Sequence, residues 1–362
     1  MKFAPVPLSD AKGKILGHNI ADANGRRLLR KGKPLSDEDL DKLHALGRIS
    51  VYVAQMEPDD VDENKAARRV AEAICGPGLH ITGVASGRAN LLSDEEGILR
   101  IDVDRLTQIN ECNGITLATL TTHSPVQPRQ IVATVKIIPY AVPESIVSAA
   151  EAIASRNTQV VQVDALPSRA VGMILSGSTS IHARLVSDFA PLRDRIERLG
   201  SSVTRTDFVA LDDESDEAAL AQMLQQQVAA GIGMILLAGE TAIMDPHDIV
   251  PRAIERAGGY VESVGAPVDP GNLLMLAYLD NVPVVGAPGC ARSRKTNIVD
   301  WILPRLLVGD RLTRRDIIEL GHGGLLQDVH ERGMPREIDI KEDDSDQNTK
   351  PESLTEVTSP SG

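Results

Sequence analysis

The stretch IGMILLAGETAIMDPHDIVP, residues 232–251, sets the reading of this chain. Ile232 to Leu237 is an apolar run of strand length, closed by the turn Ala238-Gly239-Glu240-Thr241-Ala242. Asp245-Pro246-His247-Asp248 then opens a helix over 247–257, with Pro placed for a first helical turn. A strand that ends in a tight turn ahead of a helix N-terminus collects free backbone N–H groups and the positive end of a helix dipole, which suits an anion. A second turn of this kind, Gly286-Ala287-Pro288-Gly289, follows the apolar run Val282 to Val285. Two such loops in one α/β unit point to a phosphate-bearing ligand lying across the strand ends.

Working outward, the pattern from 168 onward alternates strand and helix. Strands are expected at 171–175, 203–211, 232–237 and 282–285, and helices at 189–199, 214–230, 247–257 and 296–307. Gly200, Gly231 and Gly258 stand where helices should end. Such alternation predicts βαβ crossovers and an α/β domain over 168–330, a doubly wound, mostly parallel sheet. The loops 176–182, 211–213, 238–245 and 286–293 all follow strands, so they should share one rim.

The chemistry-bearing residues lie in those loops. Ser176-Gly177-Ser178-Thr179 offers N–H and O–H groups to a phosphate, although an ordinary polar turn has the same composition. Asp212 and Asp213 either stabilise a helix N-terminus or, with Asp245 and Asp248, hold Mg²⁺ beside a phosphate. Asp245 also suits an N-cap ahead of Pro246. Pro288-Gly289-Cys290-Ala291-Arg292-Ser293-Arg294-Lys295 places three cations before a helix, where the dipole disfavours them, so they are expected to face an anionic ligand. Cys290 reads as a small filler residue or a reactive thiol at a helix start.

Ahead of this domain the sequence is a smaller α+β and β-rich region. Residues 1–76 read as an α+β segment in which Ser36 caps a helix over 37–46 and a second, amphipathic helix covers 58–75. Residues 77–155 read as β-rich, with strands at 81–84, 98–103, 115–120 and 131–138 and helices at 103–110 and 144–155. Residues 335–362 form an acidic, Ser/Thr-rich tail expected to be disordered.

Bulk properties narrow the classes. The net charge of −13 disfavours nucleic acid as a partner, and the 2% aromatic content leaves little for stacking bases. Neither a signal peptide nor an apolar run of membrane-spanning length is evident, so a cytoplasmic protein without membrane contact is expected. Three widely spaced cysteines and no paired-histidine spacing make no metal motif.

Residues 168–310 resemble the molybdopterin-binding domain shared by molybdopterin adenylyltransferases, molybdenum insertases and gephyrin. Ser176-Gly177 stands where that family has Thr-Gly after its first strand. Val209-Ala210-Leu211-Asp212-Asp213 is similar to a strand ending in Pro-Asp-Asp. Ala238-Gly239-Glu240-Thr241-Ala242, followed by Asp248-Ile249-Val250-Pro251, resembles Gly-Gly-Thr-Gly followed by Asp-Val-Thr-Pro, and Gly286-Ala287-Pro288-Gly289 resembles Gly-Leu-Pro-Gly. Residues 28–53 are similar to a piece that insertase-type proteins carry outside this domain. The resemblance implies a pterin ligand, molybdopterin or the finished molybdenum cofactor. It would be held by Ser176, Gly177, Ser178, Thr179, Gly239, Glu240, Thr241, Ala242, Gly286, Pro288, Gly289, Arg292 and Ser293, with Asp213 and Asp248 as catalytic or metal-side carboxylates. It implies a homo-oligomer and, as a partner, a molybdenum enzyme or a cofactor nucleotidyltransferase. Three functions stay open: binding or delivery of the cofactor, nucleotidyl transfer or metal insertion, and nucleotide pyrophosphate hydrolysis as in competence-damage proteins. Glu240 and Ala242 replace family glycines, which favours binding over catalysis.

Overall fold

The computed structural model describes residues 1–326 apart from Asn157, so the expected acidic tail lies outside the described residues. Near the N-terminus, Ser50–Gln55 is the centre of a three-stranded antiparallel sheet between Lys2–Pro7 and Ile15–Leu16. Helix Asp37–Ala45 closes it, burying Leu43 beside Leu16, Leu35, Val51 and Val53. Its start is a capping box: Ser36 Oγ accepts from Asp39 N–H, and the Asp39 carboxylate accepts from Ser36 N–H.

In the middle region, helix Glu63–Ile74 packs on a four-stranded antiparallel sheet, and helix Glu144–Ala154 packs against that helix. The strand order is Ile115–Thr119, Ile131–Ile137, Arg88–Ser93, Leu79–Ile81. The first of these helices is shorter than the 58–75 expected, because Asp62 caps it and Asp60–Asp62 instead pairs with Ala141–Pro143. Arg69 ties the two helices by donating to both Glu144 and Glu151. Strands Arg88–Ser93 and Val161–Ala165 had no clear sequence signal; each is held by partners distant in the chain, Ile131–Ile137 and Gly97–Ile101 respectively.

The C-terminal region is built on a six-stranded mixed sheet. Its order is Ser202–Ala210, Ala170–Gly177, Met234–Gly239, Val282–Gly286, Met275–Leu279, Tyr260–Val264. The first four run parallel, and the last two are antiparallel additions that the sequence reading did not anticipate. Met275–Leu279 and Val282–Gly286 form a hairpin across Asp280-Asn281, with Asp280 at φ 54°. Their combined apolar run conceals the turn, since only Asp280 and Asn281 interrupt it. One face of the sheet buries Ile174, Ile235, Met275 and Val284 under Leu220 and Leu224 of helix Glu217–Ala229 and Ala253 and Ile254 of helix Ile249–Arg256. The helix expected over 189–199 is Ala190–Arg198, and a further helix, His182–Asp188, precedes it. Among the described residues no helix is long and apolar enough to cross a membrane.

The capping box yields a pH prediction. Burial works against ionised Asp39, but donation from Lys33 Nζ and from both the N–H and O–H of Ser36 outweighs it, holding the carboxyl at about 2. A depressed carboxyl stabilises the fold above its ordinary value, and the contribution is lost as pH falls from about 4 toward about 2. Ser36→Ala should destabilise the protein by about 1 kcal/mol in urea unfolding at pH 7. That difference should shrink below pH 3 as protonated Asp39 leaves its partners.

Candidate functional site

Parallel register brings the strand ends level. Gly177 pairs with Ala210, Ser176 with Gly239 and Leu237 with Gly286, so the four following loops begin at the same height. They enclose a cleft of about 680 Å³. Of the sequence candidates, Ser176, Gly177, Asp212, Asp213, Gly239, Glu240, Thr241, Ala242 and Asp248 line it. Ser178, Thr179, Asp245, Gly286, Pro288, Gly289, Arg292 and Ser293 do not. Leu211, Ile243, Met244, His247 and Arg252 also line the cleft. Leu211, Ile243, Met244 and His247 fall in the loops and helix start read from the sequence but are not polar donors or acids of those motifs, apart from His247; the available signal for Arg252 was its place one helical turn after Asp248.

Backbone donors are the main resource of the cleft. Glu240 N–H donates to Ser176 O at 2.8 Å, and Met244 and Asp245 N–H donate to Asp248 Oδ2 at 2.6 and 3.1 Å. Between them, the N–H groups of Thr241, Ala242 and Ile243 have no acceptor among the described residues. Unengaged amides of a loop that borders a cleft are available to a ligand anion. Gly286 sits behind this loop because a Cβ there would come within 2.6 Å of Ile243 Cδ1; its part is to admit Ile243, not to touch a ligand.

Glu240 lies against the first loop. Its Oε2 accepts from Ser178 N–H at 2.9 Å and from Ser178 Oγ at 3.0 Å. Gly177, at φ +154°, permits this approach, since a Cβ would stand 2.7 Å from the Glu240 Cβ. Donation first from the Ser178 amide and then from its hydroxyl holds the Glu240 carboxyl below the usual carboxylate range, with Arg184 and Arg292 adding positive charge. A carboxylate of the chain thus stands on the amide that a ligand anion would otherwise take.

The acidic residues are largely engaged with their own backbone. Asp213 Oδ1 accepts from the N–H and O–H of Ser215, which lowers its pKa, the hydroxyl contributing most. Asp216 accepts from the N–H groups of Asp212 and Asp213. Asp245 Oδ1 accepts from His247 N–H, so it caps its own turn. Among the described residues no group of three or more His, Cys, Asp or Glu side chains is placed to hold a metal ion.

Two of the three cations expected to face a ligand, Arg292 and Arg294, are engaged within the protein. Arg292 Nη2 donates to the carbonyls of Gly239 and Glu240 at 2.7 and 3.1 Å, while its guanidinium carbon lies 4.9 Å from the Phe189 ring centroid. It therefore braces the central loop from outside the cleft. Arg294 pairs with Asp194 at 2.7 Å. The loop after Pro288 is fixed by buried Arg195, which donates to Asp300 and to Lys295 O. Burial pushes the Cys290 thiol up, which fits the filler reading and not a reactive thiolate.

Comparison with known proteins adds the following. A family model described as a domain of unknown function (DUF8806) matches residues 5–55. No curated protein matches the chain. Solved structures similar to it include a molybdenum cofactor biosynthesis protein from Pyrococcus furiosus, at 13% identity and TM-score 0.23, covering 88% of this chain and 65% of that one. The chain thus spans about 65% of that protein's length. A molybdopterin biosynthesis Mog protein from Mycobacterium ulcerans is similar at 19% identity and TM-score 0.26, covering 38% of this chain and 93% of that one. The molybdopterin biosynthesis moeA protein of Pyrococcus horikoshii OT3 is similar at 11% identity and TM-score 0.25, covering 88% and 75%.

The Glu240–Ser178 contact can be tested directly. Glu240→Gly removes the internal acceptor and should raise affinity for pyrophosphate by about tenfold, roughly 1.4 kcal/mol, in equilibrium titration. Unchanged affinity would show that the Ser178 amide is not an anion position.

Proposed function

We propose that the rim cleft binds molybdopterin or the molybdenum cofactor, during its biosynthesis, maturation or delivery. The observation that carries this reading is the run of unengaged Thr241, Ala242 and Ile243 amides, set between Ser176-Gly177 and the carboxylates of Asp213 and Asp248. The amides would hold the ligand's phosphate. Ser176 and Gly177 would border the pterin, and apolar Leu211, Ile243 and Met244 would cover its flat face. Arg292 would act through the Gly239 and Glu240 carbonyls, keeping the amides aimed into the cleft.

Two features favour binding over group transfer. Glu240 keeps a negative charge beside the first loop, where a second phosphate would meet repulsion. Asp212, Asp213, Asp245 and Asp248 do not fit a protein-only Mg²⁺ site, because Asp213, Asp245 and Asp248 each engage local backbone N–H groups and no metal-holding group forms among the described residues. The catalytic reading, as a nucleotidyltransferase or insertase, keeps one supporting observation: Asp213 and Asp248 both line the cleft.

Titration of the purified protein with molybdopterin, followed by pterin fluorescence, should give saturable binding at micromolar concentrations. Its absence would sink this reading. Incubation with Mg·ATP or Mg·CTP and molybdopterin should give no nucleotide adduct. An adduct that disappears in Asp248→Asn would replace binding with catalysis, since Asn retains an acceptor for the Met244 and Asp245 amides.

A further inference from the structure

A second cleft, of about 1270 Å³, lies where the N-terminal three-stranded unit meets the middle region. Its lining cations are Arg30, Lys31, Lys33, Arg88 and Lys136, against a single lining carboxylate, Glu63. The whole chain carries −13, so this concentration of positive charge runs against its overall balance. Like charges gathered in one concavity repel each other and focus a field that attracts anions.

Two of the cations are already engaged. Lys33 Nζ donates to Asp39 at 2.8 Å, and Lys136 Nζ donates to Ser86 O and Ile137 O and stands 3.7 Å from Glu63. Arg30, Lys31 and Arg88 are exposed, and their side chains have no hydrogen-bond or ion-pair partner among the described residues. Their backbones are nonetheless fixed. Lys31 N–H donates to Asn19 Oδ1 at 2.9 Å, and Gly32, at φ +80°, returns its N–H to Leu16 O at 2.8 Å. Arg88 follows the turn Ser86-Gly87, whose residues have φ of 50° and 67°, and Asn64 accepts from Gly87 N–H at 2.9 Å. Three unpaired cations are thereby held on two rigid turns around one cavity.

Part of the lining is aromatic. Phe3 meets His18 edge to face at 5.4 Å, and Tyr140 donates its hydroxyl to Gly17 O at 3.0 Å. Phe3 is 43% exposed in a chain with three phenylalanines, so an open ring here is a notable use of a scarce residue. A bare inorganic anion has no use for those rings, and an apolar ligand has no use for the cations. A ligand with a flat ring at one end and several negative charges at the other satisfies both.

We propose that this cleft binds a nucleoside polyphosphate, with Arg30, Lys31 and Arg88 on the phosphates and Phe3 and His18 against the base. The inference stands apart from the pterin reading, since no residue is shared by the two clefts. Calorimetric titration of the full-length protein should show saturable binding of ATP, about tenfold or more tighter than pyrophosphate or adenosine. Lys31→Glu and Arg88→Glu should each weaken ATP by about tenfold or more, with an unchanged unfolding midpoint because both side chains are exposed. Because the rim cleft also offers unengaged amides to a phosphate, 8-azido-ATP cross-linking should be mapped by peptide. Label within 1–33 or 85–140 supports the proposal, and label confined to 238–252 overturns it. The proposal is equally overturned by absent saturable binding, by pyrophosphate binding as tightly as ATP, or by charge-reversed variants that bind like the parent.

Discussion

The parallel register of Ser202–Ala210, Ala170–Gly177, Met234–Gly239 and Val282–Gly286 is the constraint on which the rim depends. Parallel pairing needs a crossover between strands, so each connection leaves the carboxyl end of one strand and returns to the amino end of the next. The carboxyl ends therefore collect on one side, and residues more than a hundred positions apart, such as Gly177 and Ala287, border the same cleft. The antiparallel pair Tyr260–Val264 and Met275–Leu279 extends the sheet on the far side of Val282–Gly286 and contributes no cleft-lining residue.

Within that frame, electrostatics distinguishes the two clefts. At the rim the donors are backbone amides and the acids are mostly bonded to the chain itself, through Asp213 to Ser215 and Asp248 to Met244 and Asp245. Glu240 carries this furthest, supplying Ser178 with an acceptor from inside the protein. In the second cleft the charge is on side chains, and three of these stand without partners among the described residues. The same acidic chain thus presents one cleft whose unengaged donors are backbone dipoles and one whose unpaired donors carry formal charge.

Much of the rim was legible because loop chemistry is local. Ser176-Gly177, Asp212-Asp213 and the 238–242 turn carry Gly, hydroxyl and acidic residues at strand ends, where composition alone marks a turn. The partners of Arg292 and Arg294 were not legible, for an equally physical reason. A sequence shows that Arg292 precedes a helix, but not that the Gly239 and Glu240 carbonyls lie within reach, or that Asp194 waits for Arg294. The second cleft carried no signal in the chain, because Lys31, Arg88 and Lys136 meet only after two regions pack together.

By itself the sequence determined the α/β alternation after 168, the capped helix at Asp37–Ala45 and the identity of the rim loops, because periodicity, caps and turns are written in neighbouring residues. Tertiary structure alone decided that the sheet is mixed, that Glu240 satisfies Ser178, that Arg292 braces a loop, and that a basic cavity opens beside Phe3. Each of these rests on a contact between residues far apart in the chain, and the geometry of such contacts exists only once the backbone has folded.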